Sequence, residues 1–300
     1  MGTSQAELKT QQSASSAGSN GSGILSGSSV LDQLFAEDFL KQLDQRAEDL
    51  APKYLANKPF PHIYFDDFLP STVADLALAT FPDPDKIDWL RHRGLDQHKK
   101  LAFDNAEFLP SPLRDILFFL NSRPMLLFLE KLTGIPDIFG DPYYNGGGLH
   151  QIKPGGSLEV HADYSYHPKL KVDRRINVLV YLNKDWKEEY GGHFELWNRE
   201  LTQAEAKILP IFNRCAIFST TSYSYHGHPT PLTCPPDRTR KSIATYYFSN
   251  GRPAEDETTK HAVAFVRRPG RKEPLGARLK TTAHKLVPPL FTEIYRKLRK

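Results

Sequence analysis

Apolar and polar positions divide this chain into a helix-patterned front and a strand-patterned back. Leu31, Leu34, Phe35, Phe39, Leu40 and Leu43 recur at helical spacing opposite a face of acids and lysines, which predicts a helix over Val30–Leu50. Pro59–Leu69 reads as a strand ending in a turn at Pro70, and Ser71 as the N-cap of a short helix to about Thr80. Ser111-Pro112 reads as a helix start, Pro124 as the break between two helices, and Gly134 with Pro136 as the end of the second. Residues 82–110 carry Pro, Asp, His and Lys without a clear period. Such long irregular stretches often line sites or act as lids. Trp89, Arg91, His92, Arg93, His98 and Lys99 make this one a candidate substrate loop, although an ordinary solvated loop accounts for the same residues.

From about residue 140 the period shortens to two. Strand-like runs at Gly148–Lys153, Leu158–Asp163, Ile176–Leu182, Gly192–Trp197, Cys215–Ser219 and Ser242–Ser249 alternate with Gly/Pro/Asn turns. Short strands in series predict an antiparallel sandwich or barrel. Helices first and strands later predict helices packed on one face of that unit. The expected fold class is therefore mainly β with flanking helices (α+β). Residues 1–29 are Ser/Gly/Gln/Ala-rich and too poor in large apolar groups to offset their ordering entropy, so they are expected to be disordered. Residues 30–140 are expected to be a helical support of the same domain, 141–265 its core, and 266–300 a basic tail closing on a helix at Leu290–Lys300.

Composition narrows this little. Charged content of 25% and hydrophobic content of 39% are ordinary for a globular chain. Cys215 and Cys234 make neither a disulfide framework nor a zinc spacing. The runs Ile116–Leu120 and Met125–Leu129 are too short to span a bilayer, and no signal pattern opens the chain. A cytoplasmic protein without a membrane partner is the expected reading. The net charge of +4 hides an asymmetry: eleven Lys/Arg against Glu273 and Glu293 from Arg267 onward give about +9, leaving the rest near −5. Such a tail could contact an acidic partner, anionic lipid or nucleic acid. A solvated closing helix is the simpler reading, and no aromatic interleaving supports nucleic acid.

Chemistry concentrates in two segments. In a strand Leu158–Asp163, His161 and Asp163 project to one face and can reach one ion. Imidazole with carboxylate suits iron(II) with positions left open, whereas structural zinc sites prefer thiolates or more imidazoles. A third ligand must come from elsewhere, and Tyr225-His226-Gly227-His228-Pro229 offers two. His226, beside flexible Gly227, is favoured over His228. H-x-D alone is common by chance, so the downstream strand matters. There Arg240, Ser242 and Ala244 share a face. An Arg facing a barrel interior is costly without an anion, and a dicarboxylate would supply a bidentate one. Arg238, in a turn-like stretch, is the alternative. On the strand from Arg174, Asn177, Leu179 and Tyr181 share one face against Ile176, Val178, Val180 and Leu182 on the other. A Tyr hydroxyl inside a barrel needs a partner, although a core tyrosine bonded to backbone meets the same need. His193, after Gly191-Gly192, reads as a surface residue or a neighbour of the site.

Taken in order, His161-Ala162-Asp163, Arg174 to Val180-Tyr181-Leu182-Asn183, Gly191-Gly192-His193-Phe194, His226, and Arg240 to Tyr246-Tyr247-Phe248 resemble the 2-oxoglutarate/Fe(II)-dependent dioxygenase superfamily, and within it the prolyl 4-hydroxylase-like branch. The resemblance covers about residues 145–250. It implies a double-stranded β-helix (jelly-roll) core supported by N-terminal helices. It implies iron ligation by His161, Asp163 and His226, with Arg240 and Tyr181 on the C5 carboxylate of 2-oxoglutarate and Ser242 as helper. Arg174 or Arg175 would lie near the site mouth, toward substrate. Family members often carry a Tyr on the strand before H-x-D; the nearest equivalents here are Gln151 and Lys153. The implied reaction hydroxylates an unactivated C–H bond with O₂, with ascorbate as an accessory reductant. Its implied substrate is a prolyl or other amino-acid residue in a peptide or protein, or a free amino acid. The competing readings are a non-catalytic jelly-roll binding module and a cupin-like metalloenzyme that does not use 2-oxoglutarate.

Overall fold

The structure, a computed structural model, describes residues 29–93, 96–253, 256 and 258–269. Among these residues the order is α1 (Val30–Leu34), α2 (Glu37–Ala56), β1 (His62–Phe65), α3 (Ser71–Ala79), β2 (Leu90–Arg93), β3 (Gln97–Phe103), α4 (Ser111–Leu120), α5 (Arg123–Thr133), β4 (Phe139–Gly140), β5 (Gly148–Ala162), β6 (Asp173–Tyr181), β7 (Phe194–Trp197), β8 (Ala204–Ile208), β9 (Cys215–Ser219), β10 (His226–His228), β11 (Arg240–Ser249) and β12 (Ala264–Phe265). The expected disordered segment, apart from Ser29, and the expected helix Leu290–Lys300 lie outside the described residues. No helix among the described residues is long and apolar enough to cross a membrane.

The fold class is as expected: mainly β, antiparallel throughout, with flanking helices. The main path runs β1-β9-β6-β11-β5-β10-β7-β8, with β3 on β5, β2 on β3, and β4 and β12 at the margins. The sheet curls until its far parts meet. Phe194 of β7 lies 5.2 Å, ring to ring, from Phe218 of β9, though four strands separate them along the path. Tyr181, Phe194, Leu196, Ile208, Ala216 and Phe218 form one apolar cluster inside this jelly roll.

The helices cover the other face of the same strands. Ile176, Val178 and Val180 of β6 share a core with Leu43 and Ala47 of α2, Ile116 of α4 and Phe128 of α5. Each such side chain contributes about 1.5–3 kcal/mol on full burial. The predicted helix Val30–Leu50 is two helices. Ser29 caps α1 reciprocally with Asp32, and α2 runs on to Ala56 because Leu43, Ala47 and Tyr54 keep one stripe buried. Ser71 and Ser111 are the first helical residues rather than caps; Pro70 and Pro110 hold the cap positions. The break before Pro124 and the end at Gly134 (φ 70°) fall where expected.

Three further differences bear on the site. Residues 82–110 are not irregular: β2 and β3 make a hairpin, and β3 pairs along β5 from Gln97 to Phe103. The two strands expected at 148–163 are one, β5, of 15 residues. Strand β8 was not anticipated, and it pairs with β7 at one end of the sheet.

Candidate metal centre

Strand β5 brings His161 opposite His226 of β10, and Asp163 follows just past the strand end. Their ligand atoms lie within 4.8 Å of one another. His161 Nε2 is 3.5 Å from Asp163 Oδ1, and His226 Nε2 is 3.4 Å from Oδ2. Each ring donates its Nδ1–H to a carbonyl two residues back, His161 to Glu159 (2.8 Å) and His226 to Ser224 (2.9 Å). A carbonyl only accepts, so both Nε2 atoms carry lone pairs while the imidazoles are neutral. Burial and the neighbouring His226 push the His161 pKa down to about 4, which keeps that ring neutral. Burial alone would raise the Asp163 pKa, but Arg174 and the two histidines hold it well below the usual carboxylate range. Two lone pairs therefore face an ionised carboxylate, an arrangement that a shared cation stabilises. The donor set of two imidazoles and one carboxylate fits iron(II).

Asp163 is fixed from behind. Its Oδ2 accepts from Arg174 Nη2 (2.8 Å) and Asn177 Nδ2 (2.7 Å), and Asn177 Oδ1 in turn accepts from Arg174 Nε (2.8 Å). Arg174 is fully buried between the rings of Tyr164 and Tyr246. It also lines a larger cavity that reaches the triad. Arg175 points elsewhere, donating to Ser249 Oγ at 2.8 Å.

A cavity of about 70 Å³ continues inward from the triad, lined among others by Asn177, Leu179, Tyr181, Arg240, Ser242 and Tyr246. Arg240 is 6% exposed; its Nε donates to the Gly192 carbonyl (2.7 Å) and its Nη2 to Tyr181 Oη (3.4 Å). Among the described residues no carboxylate pairs with it. Burial lowers its pKa and raises that of Tyr181, whose hydroxyl stays protonated beside the guanidinium. Arg238 bonds to the Lys184 carbonyl (2.9 Å) outside this cavity. His193 pairs with Glu188 at 2.8 Å and does not line the cavity. Gln151 is also absent from the lining; it bonds instead to the Pro82 carbonyl (3.0 Å) and Thr239 (2.7 Å).

Sequence reasoning missed two lining residues, His150 and Lys100, and left the role of a third, His228, open. His150 faces inward with its Nε2–H on the Gly146 carbonyl at 3.0 Å. His228, read from the sequence as an alternative ligand, a neighbour of the ligands or a substrate contact, presents two buried ring nitrogens with no hydrogen-bond partner among the described residues. Lys100 enters from the β2–β3 hairpin. A second cavity of about 250 Å³ shares His161, Asp163, Tyr246 and Lys100 with the first and extends past Tyr164, Asn145 and His92.

Residues 147–248 match the family model described as the 2OG-Fe(II) oxygenase superfamily. No curated protein matches the chain. Among solved structures, the chain is similar to a prolyl hydroxylase from Trichoplax adhaerens in complex with a hypoxia inducible factor peptide fragment, with 18% identity, coverage of 73% of this chain and 96% of that one, and a TM-score of 0.49. A Pseudomonas putida prolyl-4-hydroxylase is similar at 15% identity, with 68% and 100% covered and a TM-score of 0.46. So is an alpha ketoglutarate dependent carbocyclase from nogalamycin biosynthesis, at 13% identity, with 77% and 92% covered and a TM-score of 0.49.

Proposed function

We propose that this chain is an iron(II)- and 2-oxoglutarate-dependent hydroxylase of the prolyl 4-hydroxylase-like kind, acting on a prolyl or other amino-acid residue of a peptide or protein; the match of residues 147–248 to the 2OG-Fe(II) oxygenase superfamily model supports this reading. One observation carries this reading. Two imidazoles and an ionised carboxylate converge at one point, beside a buried guanidinium to which no protein carboxylate is bonded among the described residues.

His161, Asp163 and His226 would hold the metal. Iron(II) bound there supplies the activation of O₂, coupled to oxidative decarboxylation of 2-oxoglutarate. The chain's own groups do the positioning. Arg240 grips the far carboxylate of the co-substrate, where a low-dielectric setting strengthens a charge-assisted contact. Tyr181 Oη and Ser242 complete that subsite. Arg174 and Asn177 hold the Asp163 carboxylate in one orientation. Leu179, Phe194 and Phe218 surround the inner end with apolar surface and exclude water from it. Ascorbate, as an accessory reductant, belongs to the same proposal.

The test is Arg240→Met. Losing one side of a buried charge contact costs about 2–5 kcal/mol, so 2-oxoglutarate binding to the metal-loaded chain should weaken at least about 30-fold. Unchanged affinity would leave a metalloenzyme that does not use the dicarboxylate. A parallel arm measures the weak visible absorbance of the anaerobic iron(II)–2-oxoglutarate complex. If Asp163→Ala retains that band, the ligand assignment fails. Metal binding without any succinate release, across pools of peptides and amino acids, would favour a non-catalytic binding module.

A further inference from the structure

Four histidines line the 70 Å³ cavity, and three of them have settled partners. His161 and His226 place Nδ1–H on carbonyls and turn Nε2 to the shared point. His150 donates Nε2–H to the Gly146 carbonyl. His228 is the exception. It is 3% exposed, and neither of its ring nitrogens has a hydrogen-bond partner among the described residues. An imidazole in either protonation state carries at least one N–H. A buried donor without an acceptor is destabilising, so a ligand that accepts from this ring gains both the bond and the relief of that penalty.

The backbone fixes where the ring points. Strand β10 pairs His226 with His161 and His228 with Leu158 of β5. At Gly227, between them, an added Cβ would stand 2.8 Å from the Leu158 carbonyl oxygen and 2.9 Å from that of Glu159. The two strands approach too closely there for any side chain. Side chains alternate along a strand, so the strand that turns His226 toward the metal centre turns His228 to the same side, about 7 Å further on. Its orientation is set by the sheet before any ligand arrives.

His228 also stands within electrostatic reach of Arg240 and of His161. A 2-oxo acid chelated at the triad and gripped by Arg240 therefore runs past this ring. Its far carboxylate offers about four lone-pair sites. Arg240 covers only part of them, because its Nε is already committed to the Gly192 carbonyl at 2.7 Å. We propose that His228 donates a hydrogen bond to the far carboxylate of the 2-oxo acid, together with Arg240, and so helps to select a dicarboxylate over a monocarboxylate; this rests on the reading above that the chain uses 2-oxoglutarate.

The test is calorimetric titration of the full, zinc-loaded chain with 2-oxoglutarate and with 2-oxopentanoate, in which a methyl group replaces the far carboxylate. His228→Leu should weaken 2-oxoglutarate about tenfold, as expected for a lost hydrogen bond to a charged group, and leave 2-oxopentanoate within about twofold. Zinc affinity should not change. His228→Asn keeps an N–H near the Nδ1 position and His228→Gln keeps one near Nε2, so one of the two should restore most of the 2-oxoglutarate affinity. In an Arg240→Met background, where the carboxylate is no longer gripped, His228→Leu should cost less than about threefold. Equal losses for both acids, a loss of zinc affinity, or no rescue by either amide would make His228 a structural residue and overturn the proposal. Unchanged 2-oxoglutarate affinity in His228→Leu would overturn it as well. Should that variant fail to fold, His228→Ala is read by the same criteria. Each of these failures leaves the Arg240→Met result intact, whereas a wild-type chain that does not prefer 2-oxoglutarate to 2-oxopentanoate overturns both readings.

Discussion

Strands β6 and β11 have two faces that could belong to different proteins. Outward, Ile176, Val178, Val180, Ile243 and Tyr247 are fully buried against the helices, and nearly everything they touch is apolar. Inward, Asn177, Tyr181, Arg240 and Ser242 are also buried, yet they are polar or charged. The outer face gains free energy by leaving water. The inner face gives some back, because burying a cation or amide costs several kcal/mol unless partners replace water. The contrast teaches that burial alone does not separate scaffold from site; what a buried group is paired with does. On the inner face Asp163 is fully partnered, whereas among the described residues Arg240 has no carboxylate and His228 no hydrogen-bond partner, and those two mark where ligands are expected.

The largest effect that would break this division is a cavity on the outer face. Ile176→Ala should destabilise the chain by about 2–5 kcal/mol, lowering the melting temperature by about 4–20 °C at this chain length. Turnover per folded molecule should stay at the wild-type value. If instead catalysis fell with little change in melting temperature, the two faces would not be separable.

A smaller change on the inner face should do the reverse. Asn177→Leu removes the 2.7 Å bond to Asp163 and leaves Arg174 Nε without its acceptor. Residues that orient metal ligands are worth about 10–100-fold in metal affinity. Competition with a chelator should show a loss of that size. A lowered melting temperature with unchanged metal affinity would reduce Asn177 to a structural role.

The same contrast explains what the sequence disclosed. Alternation along β6 and β11 separated Asn177, Leu179 and Tyr181 from Ile176, Val178 and Val180, and picked the face bearing Arg240 and Ser242, because paired strands with one apolar face keep strict period two. Alternation failed at bulges. Leu158 and His161 both line the cavity although they are three positions apart, and β5 shifts register there against β10. Counting back by twos from His161 lands on Gln151 and Lys153; counting from Leu158, beyond the bulge, lands on His150 and Ile152. A second shift pairs Tyr247 with Ile176 but Phe248 with Arg174, so Arg175 is the extra residue and Arg174 turns inward. The β2–β3 hairpin was hidden for a related reason. Lys99-Lys100 breaks the period with a left-handed residue, and the strand's polar side chains give no apolar stripe to read. Each lapse of local pattern falls beside the site, where irregular backbone aims side chains that regular strands would turn away.

The smallest effect concerns pH, and it again separates the faces. The outward side chains of β6 carry no group that titrates near neutrality. Inward, burial, followed by the nearby Lys100 and His92, holds the pKa of His150 well below 6.5; the Gly146 carbonyl and Asp163 act the other way without overcoming it. The unfolded chain therefore binds more protons than the folded one as pH drops below 6.5. Unfolding free energy should fall with falling pH, by about 1.4 kcal/mol per pH unit for each such histidine. Asp163 adds nothing in this range, because its folded pKa lies well below 3.8 and its own loss comes only at lower pH. His150→Phe in the metal-free chain should accordingly flatten the slope of stability between pH 6.5 and 5 by about that amount. Denaturant titrations at several pH values would measure it. A slope that His150→Phe leaves untouched would mean that the folded chain accommodates the imidazolium at this position, and that the inner face is wetter than its burial implies.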